Sequence, residues 1–167
     1  MGYYVRTTDV SAILSGDKLD IAYERLVELN THDEWKRGGS WSGGVQTSKH
    51  YSWMSEDYPS ELKTTREVLE AVGYETRMIL DDLQILGYDN KTGCEDTFIW
   101  AIADLFDTGS YIEWQGEEGE RWRWDFGGGD PLLQREGEIT WSDSQEMEPH
   151  EYGLVPLGHV PLNLFGL

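Results

Sequence analysis

Apolar side chains recur at intervals of three and four along residues 18–30. Leu19, Ala22, Tyr23, Leu26 and Leu29 share one face, and Asp20, Glu24, Arg25 and Glu28 lie outside it. That period predicts an amphipathic helix. Ahead of it, residues 3–14 mix β-branched and aromatic side chains in partial alternation, the pattern of a strand. Ser15-Gly16-Asp17 separates the two and offers helix caps. A second helix is predicted from Pro59 to about Val72, with Leu62, Thr65, Val68, Leu69 and Val72 as its stripe and Gly73 just beyond its end. A third runs from Glu95 to Asp107 and turns Phe98, Ile99, Ile102, Leu105 and Phe106 inward. Its first turn carries Glu95 and Asp96, which suits the positive end of a helix dipole. Between these helices a strand is best placed at Asp82–Tyr88, followed by a turn at Asp89–Gly93.

The sharpest local pattern lies at residues 110–126. Glu117-Glu118-Gly119 fits a three-residue hairpin loop with Gly119 in the left-handed position. The register then follows. Trp114 faces Trp122 and Ile112 faces Trp124 on an apolar side, with all three tryptophans expected in the core. Glu113 faces Arg123 and Gln115 faces Arg121 on the other, a charge-matched side. Residues 31–58 show no regular pattern and read as a long loop, with Gly38-Gly39-Ser40-Trp41-Ser42-Gly43-Gly44 at its centre. Loops of that length inside a domain are often functional. These elements predict an α+β domain over residues 1–131, a small, mainly antiparallel sheet with helices on one face, ferredoxin-like or a related sandwich. Residues 132–167 read as an acidic segment followed by an apolar arm punctuated by Pro156 and Pro161.

Charge changes this picture more than composition does. The chain of 167 residues has a formal net charge of −19, and the excess is uneven. Residues 1–77 hold 9 Lys and Arg against 13 Asp and Glu, whereas residues 78–167 hold 4 against 19. Such a field repels nucleic acid and membrane surfaces and attracts basic proteins. Eight Trp and nine Tyr supply a core from few residues, so the charge does not imply disorder. A single cysteine, Cys94, excludes an internal disulfide. With no secretory pattern at the N-terminus and no apolar run long enough to span a bilayer, the cytoplasm is the expected compartment.

Catalytic and cofactor motifs are absent. His32, His50, His150 and His159 form no metal-binding spacing, and no phosphate loop, dinucleotide fingerprint or nucleophile elbow occurs. The segment 31–58 gathers Trp35, Trp41, Tyr51, Trp53 and Tyr58 with Lys36, Arg37, Lys49 and His50, and is the least acidic stretch. Aromatics on an adaptable Gly/Ser backbone suit recognition, and the alternative is a lid folded over the helices. The better candidates for an acidic surface that meets a basic partner are Asp81, Asp82, Asp104, Asp107 and residues 136–151.

The opening Met1-Gly2-Tyr3-Tyr4-Val5-Arg6, the hairpin with its Gly-Glu-Glu-Gly-Glu turn and the strong acidity resemble small acidic proteins of actinobacteria and their phages. The resemblance implies a cytoplasmic accessory protein and carries no catalytic residue across. The expected function is therefore an acidic protein-binding module, in its sharpest form a phage-type inhibitor or nucleic-acid mimic that occupies a basic protein surface. Candidate contact residues are Trp35, Trp41, Trp53, Asp81, Asp82, Asp104 and Asp107, with no cofactor. A small hydrolase or ligand-binding enzyme with a site under residues 31–58, and an assembly protein docking through its C-terminal arm, are the alternatives.

Overall fold

A computed structural model describes residues 2–127 and 133–137. The apolar arm and most of the acidic segment at residues 138–151 lie outside the described residues. Six strands form one antiparallel sheet: β1 (Tyr4–Leu14), β4 (Tyr74–Ile79), β5 (Asp82–Lys91), β6 (Tyr111–Gly116), β7 (Arg121–Asp125) and β8 (Leu133–Gly137). Their order is β4-β5-β1-β6-β7-β8. Helices α1 (Leu19–Glu28) and α3 (Thr65–Val72) occupy the connection from β1 to β4, which steps over β5, and α4 (Glu95–Ile102) lies between β5 and β6, which flank β1. Two interleaved strand–helix–strand units of this kind are the split arrangement of ferredoxin-like folds, here extended at one edge by β7 and β8.

The core lies between one sheet face and these helices. Val5, Ala12, Leu14, Leu83, Ile85, Ile112 and Trp114 from the sheet meet Ala22, Leu26, Val68, Leu69, Phe98, Ile99 and Ile102 from the helices. The opposite sheet face carries Arg6, Gln84, Leu86, Glu113, Gln115 and Arg123 and is exposed or half-buried. In β1 the register slips between Thr7 and Asp9. Thr7 Oγ1 accepts a bond from the Tyr88 backbone N–H at 3.0 Å, replacing a ladder bond where β1 and β5 part. The hairpin at β6–β7 has the register read from the sequence, with Trp114 opposite Trp122, Ile112 opposite Trp124 and Glu113 opposite Arg123. Gly119 takes φ 91° in its loop. Trp114 and Trp124 are buried, but Trp122 is only partly so, because it packs at the core's margin.

Several elements differ from the sequence reading. Strand β5 runs on to Lys91 through the first residues of the turn expected at Asp89–Gly93, and the third helix ends at Ile102, short of Asp107, passing into a tighter turn at Ala103–Leu105. Residues 31–58 are not a continuous loop. They contain a two-stranded ribbon, β2 (Gly38–Ser42) and β3 (Val45–His50), turned by Gly43 and Gly44 at φ 58° and 81°. Positive φ at both central residues is what a tight hairpin turn favours in glycine. The second helix is interrupted. A short α2 (Tyr58–Glu61) precedes α3, and Thr64 starts α3 with a capping box closed by Glu67. That reciprocal pair stops the two segments merging, since Thr64 must leave helical geometry to cap. Residues 74–79 form a strand, β4, which pairs with β5 through the two-residue turn Leu80-Asp81.

Candidate partner-binding surfaces

The aromatic residues of 31–58 divide into two populations. Tyr51 and Tyr58 are 2% and 1% exposed and pin the segment to the body. Their hydroxyls donate to the Leu29 and Leu26 carbonyls at the end of α1, and the Leu29 carbonyl accepts the His32 backbone N–H as well. Burial pushes the Tyr51 phenol up to about 12 and the Tyr58 phenol higher. Trp35, Trp41 and Trp53 are 38%, 68% and 51% exposed. The lid and the recognition surface are thus both present, carried by different residues.

Trp35 belongs to a groove that the fold assembles from separate elements. A single turn at Asp33–Trp35 carries it. The Lys36 ammonium, whose side chain is 4% exposed, fixes that turn by donating to the Asn30 carbonyl at 2.6 Å and the Asp33 carboxylate at 2.8 Å. The same bond holds the Asp33 carboxyl below its ordinary range. His32 stacks on Trp35 at 4.3 Å between ring centroids, and Trp100 of α4 meets Trp35 edge to face at 5.7 Å. Trp35 and Trp100 border a hollow of about 490 Å³. Trp124 of β7, whose indole N–H donates to Gln134 of β8 at 2.9 Å, borders it too. Glu34, Arg37 and Asp96 supply the groove's charges. A bond from its own backbone N–H, then one from His32, holds the Glu34 carboxyl below its ordinary range.

A second surface forms where the β4–β5 turn meets the start of α1. Asp17, Asp20, Asp81 and Asp82 border one open hollow beside Leu19 and Met78. All four are exposed, and none joins an ion pair among the described residues. Asp82 accepts the Gly16 backbone N–H at 2.9 Å and ties the turn to the helix start. At the end of β4 and in the turn, Met78, Ile79 and Leu80 are 39%, 44% and 95% exposed. Leu80 also holds φ 54°. Two-residue turns that need positive φ at this position favour glycine, so an exposed leucine there carries both strain and unburied apolar surface.

The remaining residues expected at a site scatter. Trp41 projects from the ribbon, in which no residue is buried. Trp53, at φ 66°, lies over Gly93, where an added Cβ would meet its indole nitrogen at 2.7 Å. Asp104 accepts a bond from Arg25, which holds its carboxyl below the ordinary range. Asp107 accepts from Ser15 Oγ at 2.8 Å and lies 3.8 Å from Lys18. Both carboxylates therefore serve the fold, and of the four expected aspartates only Asp81 and Asp82 join no ion pair among the described residues. Cys94 is buried, and desolvation with the neighbouring Glu95 and Asp96 raises its thiol far above the ordinary value. Among the described residues no group of three or more His, Cys, Asp or Glu side chains could hold a metal ion. No helix of the described residues is long and apolar enough to cross a membrane.

Comparison with protein-family models, curated proteins and solved structures found no match to this chain. The sequence reading missed Trp100 and Leu80 as surface features. Trp100 did carry a signal, since it falls off the Phe98, Ile99 and Ile102 stripe and so must face away from the core. Leu80 carried none until β4 was recognised.

Proposed function

We propose that this chain is a protein-binding module that engages a basic surface of its partner. The observation that supports it most is the β4–β5 tip, where an exposed, strained Leu80 adjoins Asp81, one of four aspartates that border a single hollow and join no ion pair among the described residues. Apolar contact at the centre with charge at the rim is the usual anatomy of a protein interface. Carboxylates at the rim speed association with a basic partner, and salt weakens that effect. A nucleic-acid-binding partner is the sharper form of this reading. Such a partner releases its nucleic acid when the module binds, because both compete for one basic surface.

Paired charge reversals test the proposal. Asp20→Lys with Asp81→Lys alters the tip, and Glu24→Lys with Glu28→Lys changes the net charge equally elsewhere on α1. Capture from a lysate with salt-graded elution is compared for the two variants, after each is shown to melt like the parent. Loss of a salt-sensitive partner with the first pair alone supports the reading. Equal behaviour of the two pairs refutes it and leaves the acidity as a general surface property.

A further inference from the structure

We propose that the groove between Trp35, Trp100 and Trp124 receives an arginine side chain from a partner polypeptide. The groove is separate from the acidic tip and takes from the partner-binding reading only the source of the arginine. Its chemistry points to a cation of planar shape. Trp100 remains 58% exposed on the outer face of α4, and exposed indole faces attract cations through their electron-rich centres. Glu34 and Asp96 supply two negative charges against the single positive charge of Arg37, so the groove carries a net negative charge. The Asp96 carboxylate is anchored by the Thr97 backbone N–H at 2.7 Å through Oδ1.

The walls are held before any ligand arrives. His32 backs Trp35, the buried Lys36 ammonium fixes the turn beneath it, and Gln134 orients Trp124. Preorganised rings lower the entropy that binding would otherwise cost. A volume of about 490 Å³ exceeds a single side chain and leaves room for the flanking backbone. Guanidinium is preferred to ammonium because it is flat, stacks on indole and is weakly hydrated, so it sheds water readily on entering an aromatic hollow. Arg37 borders the same hollow, so the incoming cation is attracted by Glu34 and Asp96 and repelled by Arg37.

The test uses the full chain and two capped tripeptides, Gly-Arg-Gly and Gly-citrulline-Gly. Citrulline keeps the shape of arginine and removes its charge. Titration is followed by calorimetry and by the indole N–H resonances. Arginine peptide should shift the Trp35 and Trp100 signals and leave Trp41 unmoved, and citrulline peptide should bind at least tenfold more weakly. Trp100→Leu should weaken arginine peptide about 2- to 30-fold, and Glu34→Gln, at an exposed position, should weaken it without touching the core. Trp41→Leu is the control and should change nothing. Equal binding of the two peptides, undiminished binding to both variants, or shifts confined to tryptophans other than Trp35, Trp100 and Trp124 would overturn the proposal. Failure here with a charge-selective partner still captured through the tip would remove the groove alone and leave the module reading standing.

Discussion

Replacing Leu80 with asparagine should make the isolated protein more stable. A non-glycine residue held at positive φ costs about 1–2 kcal/mol relative to its relaxed conformation, and Leu80 sits at 54°. Asparagine is among the few residues that visit this region readily. At 95% exposure the leucine side chain forfeits almost no burial when removed. The net gain should be about 1 kcal/mol, which corresponds to a rise of roughly 2–4 °C in Tm for a domain of this size. Leu80→Gly relieves the same strain but gives back part of the gain through the freedom of the unfolded chain. Its increment should therefore be the smaller. Urea denaturation at constant m-value and a calorimetric scan measure both variants. If Leu80→Asn lowers the midpoint, the side chain holds the turn together and the strain argument fails. If it raises the midpoint and also weakens partner capture, the position trades stability for contact, as interaction sites do.

Trp114→Ala should cost about 3–5 kcal/mol in urea denaturation, because a side chain 1% exposed and packed on Trp124 at 4.8 Å leaves a cavity. Trp41→Ala should move stability by less than about 0.5 kcal/mol, since the ribbon contributes no buried residue. A larger loss would show that the ribbon docks on the body. Asp104 has a depressed carboxyl pKa in the fold, caused first by the Arg25 hydrogen bond. Its stabilising effect is fully present above the ordinary value of 3.8 and disappears as pH falls through the lower folded value. Asp104→Asn should therefore reduce stability at neutral pH and converge with the parent in strong acid. A stability difference that stays constant from neutral pH to strong acid would contradict this assignment.

What the sequence determined by itself was whatever burial had imprinted on it at short range. Helices α1 and α4 show their stripes because one face of each meets the core, and all five side chains expected inward from the third helix are buried. The β6–β7 register was legible because the Gly119 turn and the Trp114–Trp122 and Glu113–Arg123 pairs are set within a few residues of one another. Where burial does not act, no pattern is written. The ribbon β2–β3 buries nothing and β4 is an edge strand with only Tyr74 buried, so backbone pairing holds both with little trace in side-chain order. Gly43-Gly44 was the one local signal of the ribbon. Tertiary structure alone decided which charges remain available. Arg25 and Lys18 reach Asp104 and Asp107 across the chain, whereas Asp81 and Asp82 meet no cation among the described residues. It also decided that Trp35, Trp100 and Trp124 share one groove. Their sequence positions are far apart, and only the tertiary fold sets the Trp35 ring against Trp100 and lines one hollow with both and Trp124.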